Sequence, residues 1–227
     1  SDVADGSCEF KGNLSSMRYA ANVKLQGKTA FLFLVFLPLF AFSLYAGASA
    51  IDTEAHPFEG VSLIRWEKPA PDPQVAYLVF IALDASGLRF TTTPSNGPDN
   101  PRETWCETTL EFVKKTGAQI SINGNYFIYD REMHTELIGL AVSEGNVVSP
   151  WDNSLSRYAI NITRENKVQF LERPENAAGT QRTQPETTLY NTLSGRPMLL
   201  RKGKILVEEG GERHPRTAVG ITADNKL

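Results

Sequence analysis

Two short stretches of this chain combine residue types that suit the binding of sugars and anions. The first is Asn123-Gly124-Asn125-Tyr126-Phe127. Asn123 and Asn125 each offer a donor and an acceptor, which matches sugar hydroxyls. Gly124 lets backbone approach a ligand closely, and Tyr126 or Phe127 could stack on a sugar ring. Asn-Gly is also a common turn dipeptide, so a plain turn is the alternative. The second stretch is His214-Pro215-Arg216-Thr217-Ala218-Val219-Gly220. Pro215 fixes the backbone ahead of Arg216. A fixed guanidinium can bind a phosphate or carboxylate through two hydrogen bonds. His214 beside it could relay protons or bond the same anion. A surface ion pair is the plain alternative for Arg216. Arg196, in Ser194-Gly195-Arg196-Pro197-Met198, is a second arginine set against a proline.

Other chemistries find no support. His56, His134 and His214 are the only histidines and stand far apart, with no HExxH or CxxC motif. No metal site and no cofactor is expected. GxSxG, the phosphate-loop motif and GxGxxG are also absent. The formal net charge of −3 gives no basic field for nucleic acid, so no nucleic-acid partner is expected. Hydrophobic residues make up 41% and charged ones 22%, which excludes a disordered or collagen-like chain.

The elements that position these residues follow from periodicity and turn chemistry. Residues 1–50 read as a leader. Arg18, Lys24 and Lys28 precede an uncharged apolar run over residues 30–45, and Ala48-Ser49-Ala50 then forms a small-x-small site. That order is a secretory signal peptide spanning 17–50, behind upstream residues 1–16. A retained membrane anchor is the alternative, with any membrane contact made through residues 30–48. The expected location is secreted, periplasmic or in the cell envelope. The folded domain is then 51–227. Within it, 51–59 and 67–74 carry linker chemistry, and 60–66, 75–84 and 88–93 read as strands, 75–84 as a central one. One helix is expected over 103–116, with a core face of Trp105, Cys106, Thr109, Phe112 and Val113 and a stop at Gly117. Once Cys8 leaves with the leader, Cys106 is expected to be an unpaired, small core residue. Residues 119–123 read as a short strand.

From there the chain repeats one device: a short strand, a tight polar turn, a short strand. The pairs are 140–143 with 147–149, 159–163 with 168–171, and 198–200 with 205–207. A fourth begins at 217–222 and turns at 223–226. The fold class is therefore α+β, a mixed and mostly antiparallel sheet built of hairpins with few helices, in a single domain. Because that last hairpin breaks off at Leu227, the domain is expected to be C-terminally truncated. Asn161-Ile162-Thr163 is a glycosylation sequon.

The segments 123–127, 139–148, 194–204 and 214–221 together resemble the phosphodiester glycosidase family, whose bacterial relatives include exopolysaccharide biosynthesis proteins. Arg216-Thr217 within HPRTAVG carries most of the likeness, and NGNYF matches the family's Asn-rich motif in part, its glycine displaced by one place. The resemblance implies hydrolysis of a sugar-1-phosphodiester, with a phosphorylated glycan as the partner. It assigns Arg216, with Arg196, to the anionic leaving group, and Asn123, Gly124, Asn125, Tyr126 and Thr217 to the substrate wall. His214 is a catalytic candidate. An oxocarbenium-like transition state also needs carboxylates. Asp84, at the end of a strand, is the candidate within this sequence. The family's Asp-Gly-Arg and Asp-Gly-Gly-Gly-Ser segments are not in it, so residues 1–227 alone are expected to be inactive. A non-catalytic module that binds phosphorylated glycans is the alternative.

Overall fold

The computed structural model describes residues 51–151, 156–173, 186–208 and 214–227. The leader, including the apolar run, lies outside the described residues. Among the described residues no helix is long and apolar enough to cross a membrane.

Three strands come first: β1 (Ile51–Phe58), β2 (Val61–Lys68) and β3 (Gln74–Ile81) form an antiparallel sheet in that order. Residues 51–58 are thus a strand and not a linker. Pro57 has no N–H to donate, and the ladder shifts register between Ala55 and Phe58. An edge strand tolerates that loss. The Pro-rich stretch 69–73 is the expected break between β2 and β3. The apolar run of β3 is not central: β2 holds the middle of this sheet, and Val75, Tyr77 and Leu78 of β3 are exposed. Past its end, Ala82 bridges Lys226, and the backbone groups of Ile81 and Leu227 exchange hydrogen bonds of 2.8 and 3.0 Å.

Residues 88–93 run extended without joining a ladder. Side chains bind their backbone instead. Asn166 donates to Leu88 O (3.1 Å), Asn191 to Phe90 O (2.7 Å) and Ser143 to Thr92 O (2.9 Å). These partners lie far along the chain, so the expected third strand could not be checked by local periodicity.

Next come β4 (Thr104–Trp105) and α1 (Thr109–Thr116). The helix begins six residues later than its apolar periodicity suggests. Thr108 caps it: its hydroxyl accepts from Glu111 N (3.2 Å), and Glu111 Oε2 accepts from Thr108 N (2.8 Å). This reciprocal pair satisfies two N–H groups that a helix start leaves open. The Thr108 N–H holds the Glu111 carboxyl below the usual carboxylate range. Gly117 ends the helix in the left-handed region, φ 71°. The helix buries no residue, so the expected core face is corrected: Trp105 is in β4 and half exposed. Cys106 precedes the helix at a half-buried position, its N–H donating to Met133 O at 2.8 Å. Because α1 lacks a buried face, its cap matters locally. Thr108→Ala is expected to speed amide exchange over residues 112–116 about fivefold, the equivalent of about 1 kcal/mol. Unchanged exchange would show the cap to be dispensable.

The chain then makes β5 (Phe127–Tyr129) and β6 (His134–Leu137), with sheet order β4-β6-β5. Residues 119–123 form no strand. The main sheet follows: β7 (Ala141–Ser143), β8 (Asn146–Ser149), β9 (Tyr158–Ile162), β10 (Val168–Glu172) and β11 (Asn191–Gly195). Its order is β10-β9-β11-β7-β8, all neighbours antiparallel, with β11 inserted between two hairpins. The β7–β8 loop, Glu144 (φ 50°) and Gly145 (φ 86°), has positive φ at both central residues, as a right-twisted two-residue hairpin requires. A final small hairpin pairs β12 (Leu200–Arg201) with β13 (Lys204–Ile205). Three of the four expected hairpins thus form. In the fourth the turn forms, with Thr222 N donating to Lys226 O (2.9 Å), but residues 217–221 make no strand. The structure bears out a mostly antiparallel architecture with a single helix among the described residues.

The core of the main sheet is Leu140, Val142, Trp151 and Ala159, with Leu171 and Leu189 packed against it. Trp151 is fully buried, and its indole N–H donates to Ser156 O at 2.8 Å. Asn161 is fully buried too. It donates to Gln169 Oε1 (2.7 Å) and Thr188 O (3.1 Å) and accepts from Tyr190 N and the Thr192 hydroxyl. The sequon asparagine is therefore structural and closed to modification in the folded state.

Candidate functional site

The two stretches singled out by sequence meet. The Thr217 hydroxyl donates to Asn123 Oδ1 at 2.5 Å, across 94 residues. Both side chains are exposed. Arg216 therefore lies one residue, about 3.8 Å along the backbone, from this junction. The third stretch joins through Tyr126. The Arg196 guanidinium sits over the Tyr126 ring, 5.2 Å from its centroid. Such a contact orients the cation while its N–H edge stays available for an anion. Arg196 follows directly on β11 and precedes a cis peptide to Pro197.

Asn125 takes a different part from the one expected of it. It is buried, and its Nδ2 faces the carbonyls of Ile138 (3.3 Å), Gly139 (3.5 Å) and Leu140 (3.2 Å). Its Oδ1 accepts from Ser194 N at 3.0 Å. Both ends of the amide are occupied by backbone, so Asn125 holds the site together and does not face substrate. Gly124 is equally mechanical. A Cβ there would stand 3.3 Å from Leu193 Cδ2, tighter than ordinary contact. Gly124 and Asn125 thus seat the loop on β11, which carries Arg196, and Thr217 closes it from the other side.

The remaining candidates fall as follows. Arg216 is exposed, and its Nη1 donates to Pro215 O at 3.1 Å. His214 is exposed on the same segment. Asp84 is exposed in the turn after β3 and takes part in none of the contacts that build the cluster. Sequence reasoning passed over Arg157 and Arg201. Both reach Glu172, at 2.8 and 2.7 Å, beside Tyr158, which pairs with Gly195 next to Arg196. The Arg201 hydrogen bond holds the Glu172 carboxyl below the usual range and keeps Arg201 firmly protonated. No motif marks these residues; only strand pairing brings them together.

The cluster is an open surface whose free edges are hydroxyl, amide and guanidinium groups. Two concave spaces lie elsewhere, one against Gly60 and Lys226 and one between Phe112 and Asn146. Among the described residues no group of three or more His, Cys, Asp or Glu could hold a metal ion. A surface with exposed arginines, one of them laid on an aromatic ring, suits an anion joined to a polyhydroxylated group.

Residues 116–227 match the family described as phosphodiester glycosidase, a stretch that contains every candidate residue above except Asp84. No curated protein and no solved structure matches the chain. Over residues 116–227 the chain is similar to the phosphodiester glycosidase family.

Proposed function

We propose that this protein hydrolyses a sugar-1-phosphodiester, of the GlcNAc-1-phosphodiester type, in exopolysaccharide or cell-envelope glycan metabolism. The observation that carries the reading is the Thr217–Asn123 contact, which brings the anion-binding segment onto the sugar-binding loop. In this reading Arg196 and Arg216 hold the phosphodiester, whose negative charge grows as the anomeric C–O bond breaks. The Asn123 amide and the Tyr126 ring flank the sugar. In this reading His214, exposed on the same segment as Arg216, exchanges a proton on the phosphate side. The leader read in residues 17–50 supports an extracytoplasmic site of action.

The test is a pair of chromogenic substrates of one sugar, the phosphodiester and the uncharged aryl glycoside. With the full gene product, the phosphodiester is expected to be turned over and the glycoside not. Arg216→Ala and Arg196→Ala are each expected to lower kcat/KM by about 10- to 100-fold, the scale of one lost charge-assisted hydrogen bond. Equal rates on both substrates would remove the role given to the arginines.

A second reading has its own observation. Among the described residues no carboxylate hydrogen-bonds to Asn123, Tyr126, Arg196 or Thr217. That favours a module that grips phosphorylated glycans without cleaving them. Ligand binding that depends on Arg196 and Arg216, with no turnover by the full gene product, would decide for it.

A further inference from the structure

A second cluster of chemistry lies at the other end of the β5–β6 hairpin from Tyr126, about 10 Å away by strand rise. Trp105 pairs with His134, and side chains alternate along β6, so Trp105, His134 and Glu136 share one face of this small sheet. Trp105 is 49% exposed, whereas His134 beneath it is 6% exposed. Their ring centroids are 4.2 Å apart at an interplanar angle of 42°. The imidazole is itself fixed, with Nδ1 3.1 Å from Asp130 Oδ2. Arg102 continues the row, donating to Asp130 Oδ2 (3.3 Å) and Glu136 Oε2 (2.9 Å).

Single exposed apolar side chains are ordinary on protein surfaces. This one differs in two respects. Its ring is held by a buried partner, so little rotational freedom remains to be lost on binding. Its rim is a row of planar hydrogen-bonding groups. A half-exposed indole on a sheet face that also carries carboxylate and guanidinium groups matches a pyranose ring, which has an apolar C–H face and a hydroxyl rim. The charge decides what kind. Arg102 is shared by Asp130 and Glu136, and the exposed Glu132 stands 3.7 Å from the His134 ring. One arginine among three carboxylates disfavours a phosphate, in contrast to the arginines of the first site.

We propose that Trp105, backed by His134 and bordered by Arg102 and Glu136, is a carbohydrate-stacking subsite for an uncharged pyranose ring. It does not depend on the hydrolytic reading, because its ligand carries no phosphate and its site shares no residue with the arginine cluster.

The test is titration of the full chain with two neutral hexasaccharides, one of β-1,4-linked N-acetylglucosamine and one of α-1,4-linked glucose. The indole N–H resonance of Trp105, assigned with Trp105→Phe, is followed by NMR, with the buried Trp151 as internal control. At least one sugar is expected to shift the Trp105 signal and leave Trp151 in place. Trp105→Ala is expected to weaken binding about tenfold or more, and Trp105→Phe only a few-fold. Glu136→Gln, which keeps the fold of β6, is expected to weaken it a few-fold as well. No shift of Trp105 with either sugar at about 10 mM, or binding that Trp105→Ala and Glu136→Gln both leave intact, overturns the proposal.

Discussion

Replacing Asn125 by alanine is expected to destabilise the protein by about 3 kcal/mol, more than any other polar substitution near the site. The amide joins three parts of the chain: its own loop, residues 138–140 and Ser194 of β11. Alanine removes the acceptor of the buried Ser194 N–H and the Asn125 donor to the Ile138 and Gly139 carbonyls, while Leu140 O keeps the Ser194 hydroxyl. Each such group costs about 1–3 kcal/mol, reduced where water can enter. Urea unfolding would show a lower midpoint at unchanged slope if the denatured state is unaffected. Asn125→Asp is the sharper control. It keeps shape and the acceptor for Ser194 N, but turns the donor end into an acceptor facing carbonyls. It is expected to cost as much as alanine, and its cost should fall at low pH, where a protonated carboxyl regains one donor. A full-strength site in the folded Asn125→Ala protein would show that Asn125 does not position the loop.

Gly139→Ala carries the other large effect, about 3–4 kcal/mol from left-handed strain and overpacking together. The residue has φ 88°, where a side chain is strained whatever the space. There is also no space. A Cβ would lie 2.7 Å from Ser156 Cβ and 2.8 Å from both Ser194 Cβ and Ser194 Oγ. Relief cannot come from a flexible tip, because the Ser194 hydroxyl donates to Leu140 O at 2.9 Å and its backbone N–H is bound to Asn125. Thermal or urea unfolding checks the magnitude. Ser194→Gly in the same chain is expected to recover part of the loss by removing two of the three clashes. If it recovers none, backbone strain and the Ser156 contact set the cost. Gly139 and Asn125 meet the same short strand entrance, so their double mutant is expected to cost less than the two single effects combined.

These two residues also show what could be read from the chain and what could not. Hairpin turns were legible because their chemistry is local: Glu144-Gly145 and Lys202-Gly203 occupy the positive-φ positions that tight turns need. The capping box at Thr108 and Glu111 is equally local, and it, rather than the apolar spacing of 103–113, sets the helix start. The extended segment 88–93 was not, since its hydrogen bonds come from Ser143, Asn166 and Asn191. The site divides in the same way. The residue types around Asn123 and Arg216 suggested these two stretches as a pair, and the structure joins them through Thr217 and Asn123. Which asparagine faces out and which is locked inward depended on Ser194, distant in sequence and invisible to any spacing rule. Asp84 drew attention as a strand-end acid, and no long-range pairing brings it to the cluster.

The segment from His214 to Leu227 reaches Asn123 at one end and Ile81 at the other. Both partners lie in parts of the chain made long before it. As the polypeptide is synthesised, β7 to β11 are complete once residue 195 is made, whereas Thr217 follows on the order of a few seconds later at ordinary elongation rates. The nascent molecule thus passes through an interval in which its sheet and Arg196 are in hand but the clasp over Asn123 is still open. The loop-closure step that ends that interval joins residues far apart in sequence, the kind of contact that slows folding. The junction over Asn123 therefore forms after the main sheet, and a chaperone that favoured the open loop would act on the timing of assembly.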